Sequence, residues 1–322
     1  MSSGKNPTFW REALAWNSSV TPKVVPQVLL FSVIAGLVCI ADWLVEEATG
    51  THLSIEIAPY EIAGAALGLL LILRTNAGYD RWWEAGKLWG GIVNQSRNLA
   101  IDVLAYARGD SAWQNEMVRW VAAFPHVARA SLRGEKEFPE VGNLLGASAE
   151  LCVKSSSHAP CFVTWRIARL LQQATARKIL DPYQFLQIDK ERALLIDHIG
   201  ACERILKTPL AKVYSIKIRR FIALFLLTLP FALMHKLGSN WLVPLLTMLV
   251  AYPLLSLDQI GMDLQNPFAR ENLGHLPLGE ITSTIEKNLT GLLMESRREE
   301  DLEPLSETVP SHPTQQPMAG QS

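Results

Sequence analysis

This chain of 322 residues has no basic excess, no closely paired cysteines and no catalytic signature, and each absence removes a class of function. With 30 Lys and Arg against 31 Asp and Glu, it lacks the cationic footprint of a nucleic-acid binder, so nucleic acid is not an expected partner. Cys39, Cys152, Cys161 and Cys202 show no close pairing, which predicts reduced thiols and no disulfide framework. There is no H-E-x-x-H, no glycine-rich phosphate loop and no G-x-S-x-G, so no catalytic residue and no enzymatic activity are expected. His158 and Cys161 form an H-x-x-C near Cys152, but no fourth ligand follows at metal spacing; no metal site and no cofactor are expected. The isolated His126 and His198 fit buried, hydrogen-bonded packing, and the pairs Glu46/Glu47 and Glu299/Glu300 read as solvated charge.

What the chain does have is apolar length. Hydrophobic residues make up 49% of it, clustered in runs, which indicates a helical membrane protein with a soluble portion. Residues 1–23 lack the apolar core of a cleaved signal peptide; Phe9, Trp10, Leu14 and Trp16 beside Lys5 and Arg11 suit a segment lying along the membrane surface or a soluble cap helix. Val24 to Val45 is the first run of spanning length, with Asp42 at its far rim, followed by an acidic loop that the charge bias places outside. Two further runs, Phe221 to Met234 and Trp241 to Leu257, form a tight pair entered through Lys212, Lys217, Arg219 and Arg220. Both are short, and both are punctuated by proline, which neighbouring helices can accommodate.

The stretch from Glu61 to Ala100 organises the rest. Ile62 to Leu73 is free of charge and carries Gly64 and Gly68 four apart, the spacing that lets membrane helices approach closely. Ala65, Leu69 and Leu73 stack as three apolar rungs on an adjacent face, suited to packing or to a dry constriction. Glu61, one turn earlier, could ring a pore entrance, pair with a neighbouring helix or be hydrated. After Leu73 come Arg74, Arg81, Lys87 and Arg97 interleaved with Trp82, Trp83 and Trp89, a boundary cluster whose charge marks the cytoplasmic side. The helix continues to about Ala107 before Arg108-Gly109-Asp110-Ser111 interrupts it, and Asp181-Pro182 starts another.

The run Leu73-Arg74-Thr75-Asn76-Ala77-Gly78-Tyr79-Asp80-Arg81-Trp82-Trp83-Glu84, continued by Trp89 and by Ser96-Arg97-Asn98, resembles the signature of the bestrophin family in its bacterial form. Asn266-Pro267-Phe268, about 180 residues later, matches the family's tripeptide after the last apolar segment. The resemblance covers roughly residues 5–295 and implies an all-α, polytopic membrane protein with four transmembrane helices per subunit and a helical cytoplasmic region. It implies assembly as a homopentamer that conducts chloride or other small monovalent anions through a central pore.

With that resemblance the chain divides into an N-terminal interfacial segment 1–23, membrane helices 24–78 and a cytoplasmic region 79–216. Membrane helices 217–258, a cytoplasmic segment 259–298 and a disordered tail 299–322 follow. Both termini are expected on the cytoplasmic side of the inner membrane. The family's pore neck falls at Ala65, Leu69 and Leu73, and its cytoplasmic constriction within residues 179–188. Animal members commonly use phenylalanine in the neck, a residue absent here, so selectivity stays open between anions and monovalent cations of the same fold. In animal members an acidic run after the tripeptide helps clasp calcium; here Asp263 and Asn266 keep oxygen ligands, but Arg270 puts a cation where carboxylates belong. No calcium activation is expected. A membrane-bound enzyme or scaffold is the rival class.

Overall fold

Punctuation in the sequence sets where the helices break. The computed structural model describes residues 9–16, 19–107, 109–237 and 240–306, and among these there is helix, turn and loop but no strand. In chain order the helices are α1 (Phe9–Ala13), α2 (Thr21–Thr49), α3 (Ala58–Tyr106), α4 (Ser111–Leu132), α5 (Pro139–Leu145) and α6 (Ala147–Ser155). They continue as α7 (Ala159–Ala176), α8 (Pro182–Lys207), α9 (Lys212–Lys236), α10 (Val243–Asp263) and α11 (Leu278–Ser306). Asp110 caps α4 by accepting the Trp113 N–H. Asp181 starts α8 with a reciprocal box: its Oδ1 accepts the N–H groups of Tyr183 and Gln184, and Gln184 Oε1 accepts its own N–H at 2.9 Å. The H-x-x-C that might have suggested zinc is a helix start, with His158 Nδ1 accepting the Cys161 N–H at 3.2 Å.

The chain falls into two compact units, residues 1–89 with 200–277, and residues 90–199 with 278–322; α3 and α8 contribute to both. In this grouping residues 79–89 and 200–216 fold with the apolar helices. In the first unit α2, α3, α9 and α10 share one core of Val24, Val28, Leu67, Leu71, Ile222, Phe225, Leu226 and Leu255. Leu30, Val33, Leu37 and Ile40 on α2 are all more than half exposed, an apolar surface that water does not tolerate and lipid does. Helices α2, α3 and α10 are long and apolar enough to cross a membrane. In α9 the charges at Lys212, Lys217, Arg219 and Arg220 leave only residues 221–235 uncharged.

Two expectations need correction. Gly64 receives the Phe225 ring, but Gly68 faces open space; the tight crossing lies instead at Gly78, where an added Cβ would stand 3.1 Å from Leu264 and 3.3 Å from the Gly261 carbonyl. Residues 299–306 continue α11, helped by Glu and Leu, which favour helix, so the tail does not begin at 299. Residues 307–322, like Lys5 and Arg108, lie outside the described residues.

The second unit packs α4 against α7, α5 and α11. His126 on α4 is buried and meets Glu286 of α11 at 2.7 Å, while Arg129 reaches Glu140 at 2.6 Å. Burial lowers the affinity of His126 for a proton, partly offset by Glu140 and Glu286. His198 lies over Gly91, where an added Cβ would be 2.5 Å from the ring.

Cys202 of α8 is fully buried, and burial, with Glu203 and Glu84, pushes its thiol up to about 12. Only the thiolate reacts, so at about pH 8 a thiol reagent will leave Cys202 unmodified in the folded protein while labelling the exposed Cys152. Peptide mass spectrometry checks this: Cys202 becomes labelled only in denaturant.

Candidate functional site

Along α3 two stripes run on opposite sides at helical spacing, in steps of three, four or seven residues. The buried stripe is Leu67, Leu71, Arg74, Gly78, Ala85, Trp89, Ile92 and Ser96, and it faces the chain's own helices. The opposite stripe, Ala65, Leu69, Leu73, Asn76, Asp80, Trp83, Lys87, Gly90 and Asn94, is exposed along its whole length. Leu69 is 59% and Leu73 52% exposed, although the same helix has neighbours to bury them against. The exposed stripe is apolar as far as Leu73 and mixed from Asn76, with Asp80, Lys87 and Asn94 beside Trp83 and Gly90. Glu61 opens it and stands 3.8 Å from Lys236, both largely exposed, a pairing worth little in itself.

The charge that ends the apolar half is buried completely. Arg74 is 0% exposed and donates to Asp258 through Nη1 and to Ser215 Oγ through Nη2 at 3.3 Å. Asp258 also accepts from Arg219 Nε at 2.9 Å, so one carboxylate joins α3, α9 and α10. A charge taken out of water needs this company. Neither Asp258 nor Arg219 was singled out as a site from the sequence. The signal was there: Asp258 is the lone acid ending one apolar run and Arg74 the lone base ending another.

Most of the remaining signature residues act as braces. Arg81 donates to the carbonyls of Ile205 at 2.5 Å and Thr208 at 2.8 Å, at the end of α8, and to Gln265 just past α10. A cation at two helix C-termini satisfies carbonyls that have no intrahelical donor. Trp82 Nε1 donates to the Gly274 carbonyl at 2.6 Å, Glu84 pairs with Arg204 at 3.2 Å, and Trp89 is buried. Trp83 is exposed and stacks on Tyr79; Asn76 is exposed on the outward stripe. Asn266 Oδ1 accepts the Phe268 N–H, the Pro267 carbonyl accepts from Leu276, and Phe268 is fully buried, so the tripeptide is a folded turn. Asp263 is engaged by Lys23 at 3.0 Å and by Gln259 at 2.8 Å. Within residues 179–188, Tyr183 and Leu186 stand exposed at the start of α8 and Leu180 and Ile188 are buried.

The model of the bacterial/fungal bestrophin family matches residues 1–291. The voltage-dependent anion channel-forming protein of Nostoc sp. is 35% identical over 255 residues, covering 78% of this chain and 79% of its own. Escherichia coli K12 has a protein of the same description, YneE, 30% identical over 282 residues, covering 87% and 90%. A crystal structure of a bacterial bestrophin homologue from Klebsiella pneumoniae superposes with a TM-score of 0.77 at 25% identity, covering 84% of this chain and 98% of that one.

Removing Asp258 strands two guanidinium groups, one of them buried. Asp258→Ala is expected to cost about 3–5 kcal/mol of stability, and the double change Arg74→Met with Asp258→Leu less than either single loss. Denaturant unfolding of the purified protein measures both; equal costs for the single and double variants would contradict the network.

Proposed function

The chain belongs to the bestrophin family, in its bacterial and fungal branch, and on that footing we propose that it is an anion channel whose pore is lined by α3. The observation that carries this reading is the outward stripe of α3, left uncovered by its own chain and apolar at Ala65, Leu69 and Leu73. Five copies arranged around an axis, as family resemblance suggests, turn those rungs into three apolar rings. An ion crosses them partly dehydrated, and the width and wetting of the rings set its passage. Beyond them the stripe continues through Asn76 and Asn94, whose amides can replace lost water.

The four helices that share a core in the first unit support a count of four spans, with α9 as the fourth despite its basic entry. In this reading the basic and aromatic cluster after Leu73 lies on the cytoplasmic side of the inner membrane, and so do both termini. Glu61 stands at the outer entrance, and the cytoplasmic constriction falls near the start of α8, where Tyr183 and Leu186 are exposed. Calcium has no role in opening: Lys23 already neutralises Asp263, and Asn266 is spent on its own turn. The curated relatives are described as anion channel-forming proteins, which supports a channel over an enzyme or scaffold. A monovalent cation channel of the same fold is the second reading, favoured by the acidic outer segment of Glu46, Glu47, Glu56 and Glu61.

Purified protein in a planar bilayer tests the channel. Single-channel steps are expected, with Leu69→Thr raising conductance several-fold by wetting the neck; a barrier lower by about 1.4 kcal/mol passes ions tenfold faster. Unchanged currents in that variant would remove Leu69 from the pathway. Under a potassium chloride gradient the reversal potential should lie toward that of chloride, and a value near that of potassium would favour the cation reading. Micromolar calcium should leave open probability unchanged.

A further inference from the structure

The far end of α2 carries a group of side chains that the anion-channel reading does not use. Asp42 and Glu46 lie one turn apart on the same face of α2. Gly50 then takes a left-handed conformation (φ 69°), its N–H closing on the Glu46 carbonyl at 2.8 Å, and turns the chain back on the helix. That reversal places His52 over both carboxylates, with Nδ1 3.4 Å from Asp42 Oδ2 and Nε2 3.3 Å from Glu46 Oε1. The Leu53 N–H donates to the other oxygen of Asp42 at 2.6 Å and the Ile55 N–H to the Phe231 carbonyl at 3.2 Å, so the returning loop is pinned on both sides of the group.

We propose that Asp42, Glu46 and His52 form a binding site for a divalent d-block cation of the zinc class. One ligand atom from each of the three residues lies within 4.8 Å of the others. Bonds of about 2.0 Å in a tetrahedron put ligands about 3.3 Å apart, so small side-chain rotations close the set, and water supplies the fourth position. Two carboxylates and a neutral imidazole balance a doubly charged ion. The imidazole selects zinc or cobalt over calcium and magnesium, which take oxygen alone.

Charge and burial both favour an ion here. Between Lys23 and Arg74 the chain has Asp42, Glu46, Glu47, Glu56 and Glu61 and not one Lys or Arg, so this end attracts cations. Asp42 is only 1% exposed, and a buried carboxylate gains most from a nearby positive charge. Glu46 and His52 are about half exposed, which leaves the ion an entry path. The bound ion would fasten the loop that follows α2 to the helix itself. Nothing in this site depends on α3 lining a pore, so binding and conduction fail or succeed separately.

The test uses the full chain, purified in detergent and stripped with chelator, with cobalt(II) as the probe. The expected result is a visible absorption band of tetrahedral cobalt saturating at one ion per chain and displaced by zinc. His52→Ala and Glu46→Gln should weaken uptake by more than the roughly 10- to 100-fold that losing an outer-shell partner costs. Their metal-free melting should stay near that of the unaltered protein, since both side chains are half exposed; Asp42→Asn adds a third arm. Failure to take up cobalt or zinc, or uptake unchanged in His52→Ala and Glu46→Gln, overturns the site.

Discussion

The buried carboxylate of Asp258, shared by Arg74 and Arg219, fixes the rotation of α3 about its axis, and the rest of the first unit follows from that rotation. A guanidinium with no water must face its acid. Leu67 and Leu71 then point into the shared core, and Gly78 meets α10 at Gly261. Leu69 stands five residues from Arg74, about 140° around the helix, so its exposure is the geometric complement of that burial. The uncovered stripe and the buried ion group are two sides of one constraint.

This arrangement changes what the signature residues are for. A run as distinctive as Arg74 to Glu84 invites assignment to ion binding, but three of its four charged members are spent on the chain itself: Arg74 on Asp258, Arg81 on three carbonyls, Glu84 on Arg204; the fourth, Asp80, lies on the exposed stripe. The residues that face outward from the same helix, Ala65, Leu69 and Leu73, are chemically plain. Most of the distinctive residues hold the scaffold, and the plain rungs, followed by Asn76, Asp80 and Trp83, are left to meet whatever occupies the exposed face.

Much of this was legible from the chain alone where one element carries its own signal. The long helix through Glu61 and Ala100 needed only the absence of proline before Gly109, and α3 does end at Tyr106; Asp181-Pro182 announced α8 because a cap and its proline are adjacent. Pairings between distant segments were not legible. Gly64 and Gly68 have the right spacing for helix approach, yet Gly78 makes it, because closeness depends on what stands opposite and Gly261 is far off in sequence. Asp42 was read as a rim residue, and its burial arises only when Gly50 returns the loop across it. The reach of α11 to Ser306 escaped because polar composition alone does not separate a solvated helix from a tail.

Arg81 gives the fold a mechanical property. Its guanidinium links α3 to the carbonyls that close α8 and to Gln265, two residues past α10, so three chain segments meet at one planar group. A twist of α3 large enough to re-aim its outward leucines must drag those two helix ends along or leave their oxygens without a donor. The helix is geared to its neighbours, and any widening of the proposed pore beside it is a concerted displacement of all three.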